Sequence, residues 1–393
     1  MPRRKCKLMD LVTENWTPFL MAWYDKHKRE LPWRTESPRD PYKVWVSEIM
    51  LQQTRVEAVK TYYTDWMEHF PDIPALAAAE EDEVVRQWQG LGYYSRARNL
   101  HRAVREVMEQ YGGCVPETRE EITRLKGIGD YTAGAILSMA YGKRETAVDG
   151  NVLRVFARLY NIEENILSSA VKKEITELVK TRQDPQRPGD FNEALMDLGA
   201  TVCIPGQPRC EECPLTEVCK AKKAGKEKDI PLRVANKEVP VEPVTVFVVR
   251  TSGSGKAVAA PQKLATPVGA RRWPAAGQAA SDAAVLYLIH RRPEKGLLAG
   301  MWEFPNCPGK GKNGKAALKK TLAGFGIQIR RVSRPLQEIR HVFSHKTWQM
   351  TVYEAAAEEA CELPPGWRWI GFNAFRDYNL AGPHNKIFEL IQQ

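Results

Sequence analysis

The chain has 393 residues, with 58 Lys and Arg against 48 Asp and Glu, a formal charge of +10, and 43% hydrophobic and 27% charged residues. That composition excludes wholesale disorder, and the length favours two domains over one. No stretch approaches the roughly 18 uncharged apolar residues of a membrane span, and no apolar signal core follows the basic start, so a soluble, unexported protein with the cytoplasm as its default compartment is expected; a monomer is expected as well.

From Leu11 to about Gly199 the pattern is helical. Val44 to Val59, Ala97 to Gln110, Tyr131 to Tyr141 and Val152 to Tyr160 repeat apolar residues every three or four positions between Gly and Pro clusters. The first stretch contains Glu48, with Val44 and Leu51 a helical turn away; a solvated glutamate is the commoner reading, and a partly desolvated acid the functional one. Further on, Gly127 and Gly129 flank Ile128 between two helical patterns. They permit a tight turn that exposes backbone N–H groups at a helix start, which suits one DNA phosphate, although a plain helix-helix turn accounts for the same residues. Asp149, in Val148-Asp149-Gly150-Asn151, reads as a helix cap or as a functional carboxylate.

Four of the eight cysteines, Cys203, Cys210, Cys213 and Cys219, crowd into one segment, while Cys6, Cys114, Cys307 and Cys361 stand apart. A disulfide framework would spread its cysteines along the chain, so the grouping points to a metal centre in a reducing compartment. One Cys-x-x-Cys pair flanked by single ligands leaves iron-sulfur and structural zinc both open. The first domain is placed at 1–229 and an extended connector at 230–240, framed by Pro231 and Pro240. In the second domain, 241–393, strands enter at Val241 to Arg250, Ala283 to Arg291 and Trp348 to Tyr353, which makes it α+β. Thr251 to Asp282, rich in Gly, Ala, Ser, Pro and Lys, is expected to be a disordered insertion.

Taken in order, the Gly-x-Gly hairpin, Val148-Asp149-Gly150-Asn151 and the Cys-x6-Cys-x2-Cys-x5-Cys loop resemble the endonuclease III-like superfamily of helix-hairpin-helix DNA glycosylases. Ser47-Glu48-Ile49-Met50-Leu51-Gln52-Gln53-Thr54, Gly90-Leu91-Gly92-Tyr93-Tyr94-Ser95-Arg96 and the added C-terminal domain are similar to its MutY-type branch, over nearly the whole chain. The resemblance implies a mainly α helix-hairpin-helix domain carrying a [4Fe-4S] cluster on the four cysteines, and an α+β Nudix-like domain behind it. It implies base-excision repair of double-stranded DNA, by removal of adenine mispaired with 8-oxoguanine or guanine. Lys126 and Asp130 depart from the residues the family often has around the glycines, but phosphate contact is expected to survive.

Tyr131 stands where bifunctional relatives carry a lysine nucleophile, and a tyrosine cannot form a Schiff base. A monofunctional enzyme that uses water and does not cut the strand is therefore expected. The target nucleotide must rotate out of the duplex. The resemblance implies Gln53 and Tyr93 as intercalating residues, Leu51 as pocket lining, and Arg29, Trp33 and Glu193 as holders of the flipped adenine. For Tyr93, core packing under the Gly-rich turn is the alternative.

Departure of adenine calls for protonation at N7 by an acid still neutral near pH 7, so burial must lift Glu48 from its usual value of about 4.3. Asp149 is expected to stay ionised and to face the positive charge developing on the sugar, with Tyr131 and Asn151 as positioning partners.

In the second domain, Lys319 to Ile327 occupies the place of a Nudix box without its three carboxylates, so a binding surface rather than pyrophosphate hydrolysis is expected. Arg340 to Lys346 resembles the family's loop that inspects the oxidised guanine, with Phe343 and Ser344 as contacts; a β-turn with a buried Phe is the plain alternative. Two rival readings are a pyrimidine-lesion glycosylase-lyase of the same fold, disfavoured by Tyr131 and the second domain, and a non-catalytic iron-sulfur DNA-binding protein. Glu48 and Asp149 speak against the latter, because binding a polyanion needs neither carboxyl.

Overall fold

A computed structural model describes residues 15–35, 38–234, 239–252, 285–343, 345–358 and 363–392. They fall into two compact units, Met1–Gln87 with Ser95–Asn236, and Trp88–Tyr94 with Lys237–Gln393. Among the described residues no helix is long and apolar enough to cross a membrane.

The first unit is built of helices: α1 Thr17–His27, α2 Pro41–Leu51, α3 Val56–His69, α4 Ile73–Ala78, α5 Glu81–Gln87 and α6 Ser95–Tyr111. It continues with α7 Arg119–Ile122, α8 Asp130–Met139, α9 Gly150–Tyr160, α10 Ser169–Arg182, α11 Pro188–Thr201 and α12 Lys220–Lys223. Local chemistry fixes several starts. Asp40, Asp72, Thr118 and Asp149 cap α2, α4, α7 and α9 by accepting a backbone N–H two or three residues on. Asn161, left-handed at φ 55°, ends α9. The core under α1, α9 and α11 is aromatic at its centre, with Trp16 stacked on Phe191 at 6.1 Å and edge-on to Phe156 at 5.8 Å.

The helix expected over Val44 to Val59 is two helices. It breaks between Leu51 and Val56, where Gln53 takes a left-handed backbone (φ 58°). Val56 and Val59 keep the apolar spacing across the turn, so periodicity alone does not see the break. A buried cation holds it open: Arg96 Nη1 donates to the carbonyls of Ile49 (2.8 Å), Met50 (2.9 Å) and Gln52 (2.5 Å), and Nη2 to Thr54 Oγ1 (3.1 Å). The guanidinium thus takes up carbonyls that α2 leaves without intrahelical partners.

The second unit holds a mixed sheet of β1 Val241–Ser252, β2 Val285–Arg291, β3 Trp302–Glu303, β4 Asn306–Pro308, β5 Ile329–Val342, β6 Thr347–Ala357 and β7 Trp367–Gly371. The strand order is β3-β2-β1-β6-β5, with β4 beside β1 and β7 beside β2; β1 and β6 run parallel and the other pairs antiparallel. Alternation along β1 divides the core. Val244, Val246 and Val248 pack with α14 (Gly382–Ile391), while Phe247 and Val249 pack with α13 (Gly311–Gly324). Because β1 runs to Ser252, Thr251 and Ser252 belong to a strand and not to the expected insertion; residues 253–282, the rest of that tract, lie outside the described residues, as do the first two residues of the strand expected from Ala283.

Candidate active site

Glu48 sits on α2, where every residue from Val44 to Met50 is buried, and it is itself only 4% exposed. The solvated reading is excluded. The Tyr131 hydroxyl, near the start of α8, donates to Glu48 Oε2 at 2.6 Å. Burial pushes the Glu48 carboxyl up to about 7, helped by the nearby Glu193 and Asp149 charges and opposed by the Tyr131 hydrogen bond and by Arg34. An acid in this setting still holds its proton near neutral pH.

Asp149 caps α9 and faces the same space. Its Oδ1 accepts the Val152 N–H at 2.7 Å and its Oδ2 the Asn151 side-chain amide at 2.7 Å. Burial raises its pKa, working against the charge expected there, while the N–H donors of Val152 and Asn151 and the Arg154 charge work for it. Glu48 has one donor and Asp149 several, so of the two carboxyls Asp149 is the one whose anion is better held. Asn151 is fixed in turn by Arg154 (Nη2 to Oδ1, 2.9 Å) and by close approach of α11, where a Cβ on Gly199 would come within 2.6 Å of Asn151 Cβ.

A cavity of about 470 Å³ joins these groups, within the size range of small-molecule sites. Glu48, Asp149, Tyr131 and Asn151 line it together with Arg29, Trp33, Leu51, Gln53 and Glu193. Other sequence candidates lie elsewhere. Gly127 and Gly129 form the exposed hairpin before α8; Gly127 is left-handed (φ 86°), and a Cβ there would meet Asn99 at 2.9 Å. Tyr93 does not line the cavity; at 45% exposure and φ 49° it occupies an open turn, which rules out core packing.

Sequence reasoning missed the ion network beneath the cavity. Glu193 accepts from the Tyr24 hydroxyl (2.5 Å) and from Arg39, and Arg34 Nε lies 3.0 Å away, so its oxygens are taken by protein donors. Fully buried Asp197, one turn along α11, accepts from Arg29 (backbone N–H 3.0 Å, Nε 2.7 Å) and from Arg34 (2.8 Å). Burial alone would raise the Asp197 pKa, but the hydrogen bonds and charges of Arg34 and Arg29 outweigh it and hold the group below the ordinary carboxylate value. In the sequence, Glu193 and Asp197 stand four residues apart on a helix pattern that also carries Asp190, and nothing local marks them as paired. Asp197→Ala removes the carboxylate that Arg29 pairs with and leaves Arg34 with Glu193 alone, and it is expected to cost about 3–5 kcal/mol in urea unfolding; a loss within ~0.5 kcal/mol would contradict a paired, stabilising role.

The four clustered cysteines line a second cavity, together with Val155, Leu159, Leu198, Val202 and Leu215. None of the four is in a disulfide. Burial raises the thiol pKa of Cys210, Cys219 and, to about 12, Cys213. Arg158 stitches the loop shut through the carbonyls of Ile204 (2.8 Å) and Ile230 (2.8 Å), and Arg154 reaches the Cys203 carbonyl at 2.8 Å. Among the described residues no three His, Cys, Asp or Glu side chains are grouped as a single metal ion would hold them. Four soft thiol donors around one space fit an iron-sulfur group.

In the second unit, Phe343 lies in the turn between β5 and β6, where its N–H donates to the Lys346 carbonyl at 2.8 Å. Its ring is half-buried against His341 (4.6 Å) and Trp348 (5.1 Å). Ser344 lies outside the described residues.

Two family models match the chain, that of the HhH-GPD superfamily of base excision DNA repair proteins over residues 46–181 and that of the NUDIX domain over residues 280–390. The chain is 38% identical to the adenine DNA glycosylase of Mus musculus, over 95% of this chain and 77% of the relative. Against the Homo sapiens adenine DNA glycosylase it is 36% identical, over 95% and 73%. Against that of Schizosaccharomyces pombe it is 34% identical, over 92% and 86%.

Proposed function

The chain belongs to the adenine DNA glycosylase family, and on that premise we propose that Glu48 and Asp149 divide the excision of adenine opposite 8-oxoguanine or guanine in duplex DNA. As a DNA N-glycosylase it hydrolyses the bond between base and sugar. The observation that carries the reading is a single cavity lined by a carboxyl that burial keeps protonated to about pH 7 and by a second carboxyl, Asp149, that accepts from the Val152 N–H and the Asn151 amide.

With the nucleotide rotated into the cavity, Glu48 delivers its proton to adenine N7, so the C1′–N9 electron pair leaves on a neutral base. The sugar gains oxocarbenium character, and the Asp149 carboxylate faces that charge. Water adds to C1′, and the proton it releases restores Glu48. Tyr131 orients the acid through its hydroxyl. Lacking an amine, it offers no Schiff-base route to strand cleavage. Gln53, exposed and left-handed at the cavity mouth, suits entry into the gap left in the stack, and exposed Tyr93 is likewise proposed as an intercalating residue. Arg29 and Trp33 contact the base. Glu193, with its oxygens already taken, acts by fixing the arginines around it. Incubation with an A:8-oxoguanine duplex should give free adenine and a strand that breaks only after alkali. Breakage without alkali, or no adenine release, refutes this reading.

We assign a [4Fe-4S] cluster to Cys203, Cys210, Cys213 and Cys219. When bound, it cross-links the loop and supplies no step of the hydrolysis. Purified protein is expected to hold about four iron and four sulfide per chain, and Cys213→Ser to lose most of both. One zinc per chain, unchanged in the variant, would overturn the assignment.

The β5–β6 turn is the reader of the oxidised guanine in this proposal, with Phe343 as an apolar contact and Ser344 as the polar one. Relative to guanine, that base gains an N7–H donor and an O8 acceptor, which a hydroxyl can distinguish. Phe343→Ala with Ser344→Ala is expected to lower the preference for 8-oxoguanine over guanine opposite adenine by about tenfold or more, the loss of 1–3 kcal/mol of discrimination. An unchanged ratio of the two excision rates would remove the turn from this role.

A further inference from the structure

Residues 304 to 337 carry Lys310, Lys312, Lys315, Lys319, Lys320, Arg330, Arg331 and Arg334 and no Asp or Glu. Half of these cations lie on α13. That helix buries Gly314, Leu318 and Leu322 and packs so tightly on β1 that a Cβ at Gly314 would meet Thr245 Oγ1 at 2.1 Å. Lys312, Lys319 and Lys320 are exposed on the remaining surface, and Lys315 lies over the Tyr353 ring at 5.0 Å. At 3.6 residues per turn the four lysines span an arc of about 140° away from the buried stripe. Among the described residues, Lys310 just before the helix reaches Glu338 at 3.6 Å, whereas none of the four helical lysines has an ion-pair partner. Lys320 stands at the first of the carboxylate positions of a Nudix box. The carboxylates with which that box would collect a divalent cation are absent from the helix.

We propose that this face of α13 docks the sugar-phosphate backbone of duplex DNA. The row from Lys312 to Lys320 is about 12 Å long on an exposed helix, a shape that fits successive phosphates rather than one enclosed nucleotide. Ala316 and Ala317 lie between Lys315 and Lys319 and leave room for close approach. The contact is independent of sequence and fixes position on the duplex. It rests on DNA being the ligand and not on which base is removed, so an unmodified duplex tests it apart from excision.

The test is equilibrium binding of the full-length protein to an unmodified duplex of about 30 base pairs, read by anisotropy between about 50 and 200 mM salt. Lys312→Ala/Lys319→Ala/Lys320→Ala is expected to flatten the plot of log K against log salt by about two to three, since each phosphate contact contributes about 0.9. Binding at the low-salt end should weaken by about tenfold or more, while Lys312→Arg/Lys319→Arg/Lys320→Arg keeps the wild-type slope. An unchanged slope in the alanine variant, or an equal loss in the arginine variant, overturns the proposal. So does binding of polyglutamate that needs the three lysines when duplex binding does not, which would give the face to an acidic protein.

Discussion

Asp149→Asn is expected to lower single-turnover excision by about 10²- to 10³-fold, the usual loss when one preorganised electrostatic group is removed from a transition state. Asparagine caps a helix as well as aspartate does, so its Oδ1 can keep the Val152 N–H and α9 should start where it does now. The substitution therefore separates charge from scaffold, and affinity for the mismatched duplex should stay near wild type. There is a second consequence. The Asp149 charge is one of the influences that raise the Glu48 pKa, so its removal should move the alkaline fall in activity to lower pH. Near-wild-type single-turnover rates in Asp149→Asn would show that the developing charge is met elsewhere.

Glu48→Gln is expected to remove about 10²- to 10⁴-fold of the rate, the range for a general acid, and at the same time to make the protein more stable above neutral pH. The sign follows from linkage. Folding raises the Glu48 pKa from 4.5 to about 7, so the favourable contribution of its proton is complete below 4.5 and is lost as pH rises through 7. Above that the wild type carries a buried anion, and glutamine does not. The gain should approach the order of 3 kcal/mol at pH 8 and fade toward pH 4, compared by urea unfolding at the two pH values. Full activity, or a variant less stable than wild type at pH 8, would mean that Glu48 is not a desolvated acid.

Much of the helical unit could be read from spacing, because α6 and α9 have one clear apolar stripe and polar or glycine boundaries. The break after Leu51 could not, since it depends on Arg96, which lies far along the chain and answers carbonyls that no local pattern reveals. Strand β5 also escaped. It is the outermost member of the β3-β2-β1-β6-β5 path, with Arg330, Arg331, Arg334, Pro335 and Glu338 along it, and an edge with so many charges lacks the alternation that marks a half-buried strand. In the site, Glu48 was legible as a carboxylate among apolar neighbours. Asp197 and Arg34 were not, because a buried ion network is defined by partners and not by any one residue's surroundings in sequence. The burial that raises the Asp149 pKa was likewise invisible: the sequence displays the cap and its asparagine, but not the protein packed around them.

The pH dependence of single-turnover excision on an A:8-oxoguanine duplex bears most directly on the division of labour between the two carboxyls. A wild-type rate that falls about tenfold per pH unit above roughly 7, with that limb absent from the residual activity of Glu48→Gln, is the expected result. A profile that stays flat from about pH 6 to 9, or an identical limb in Glu48→Gln, contradicts it.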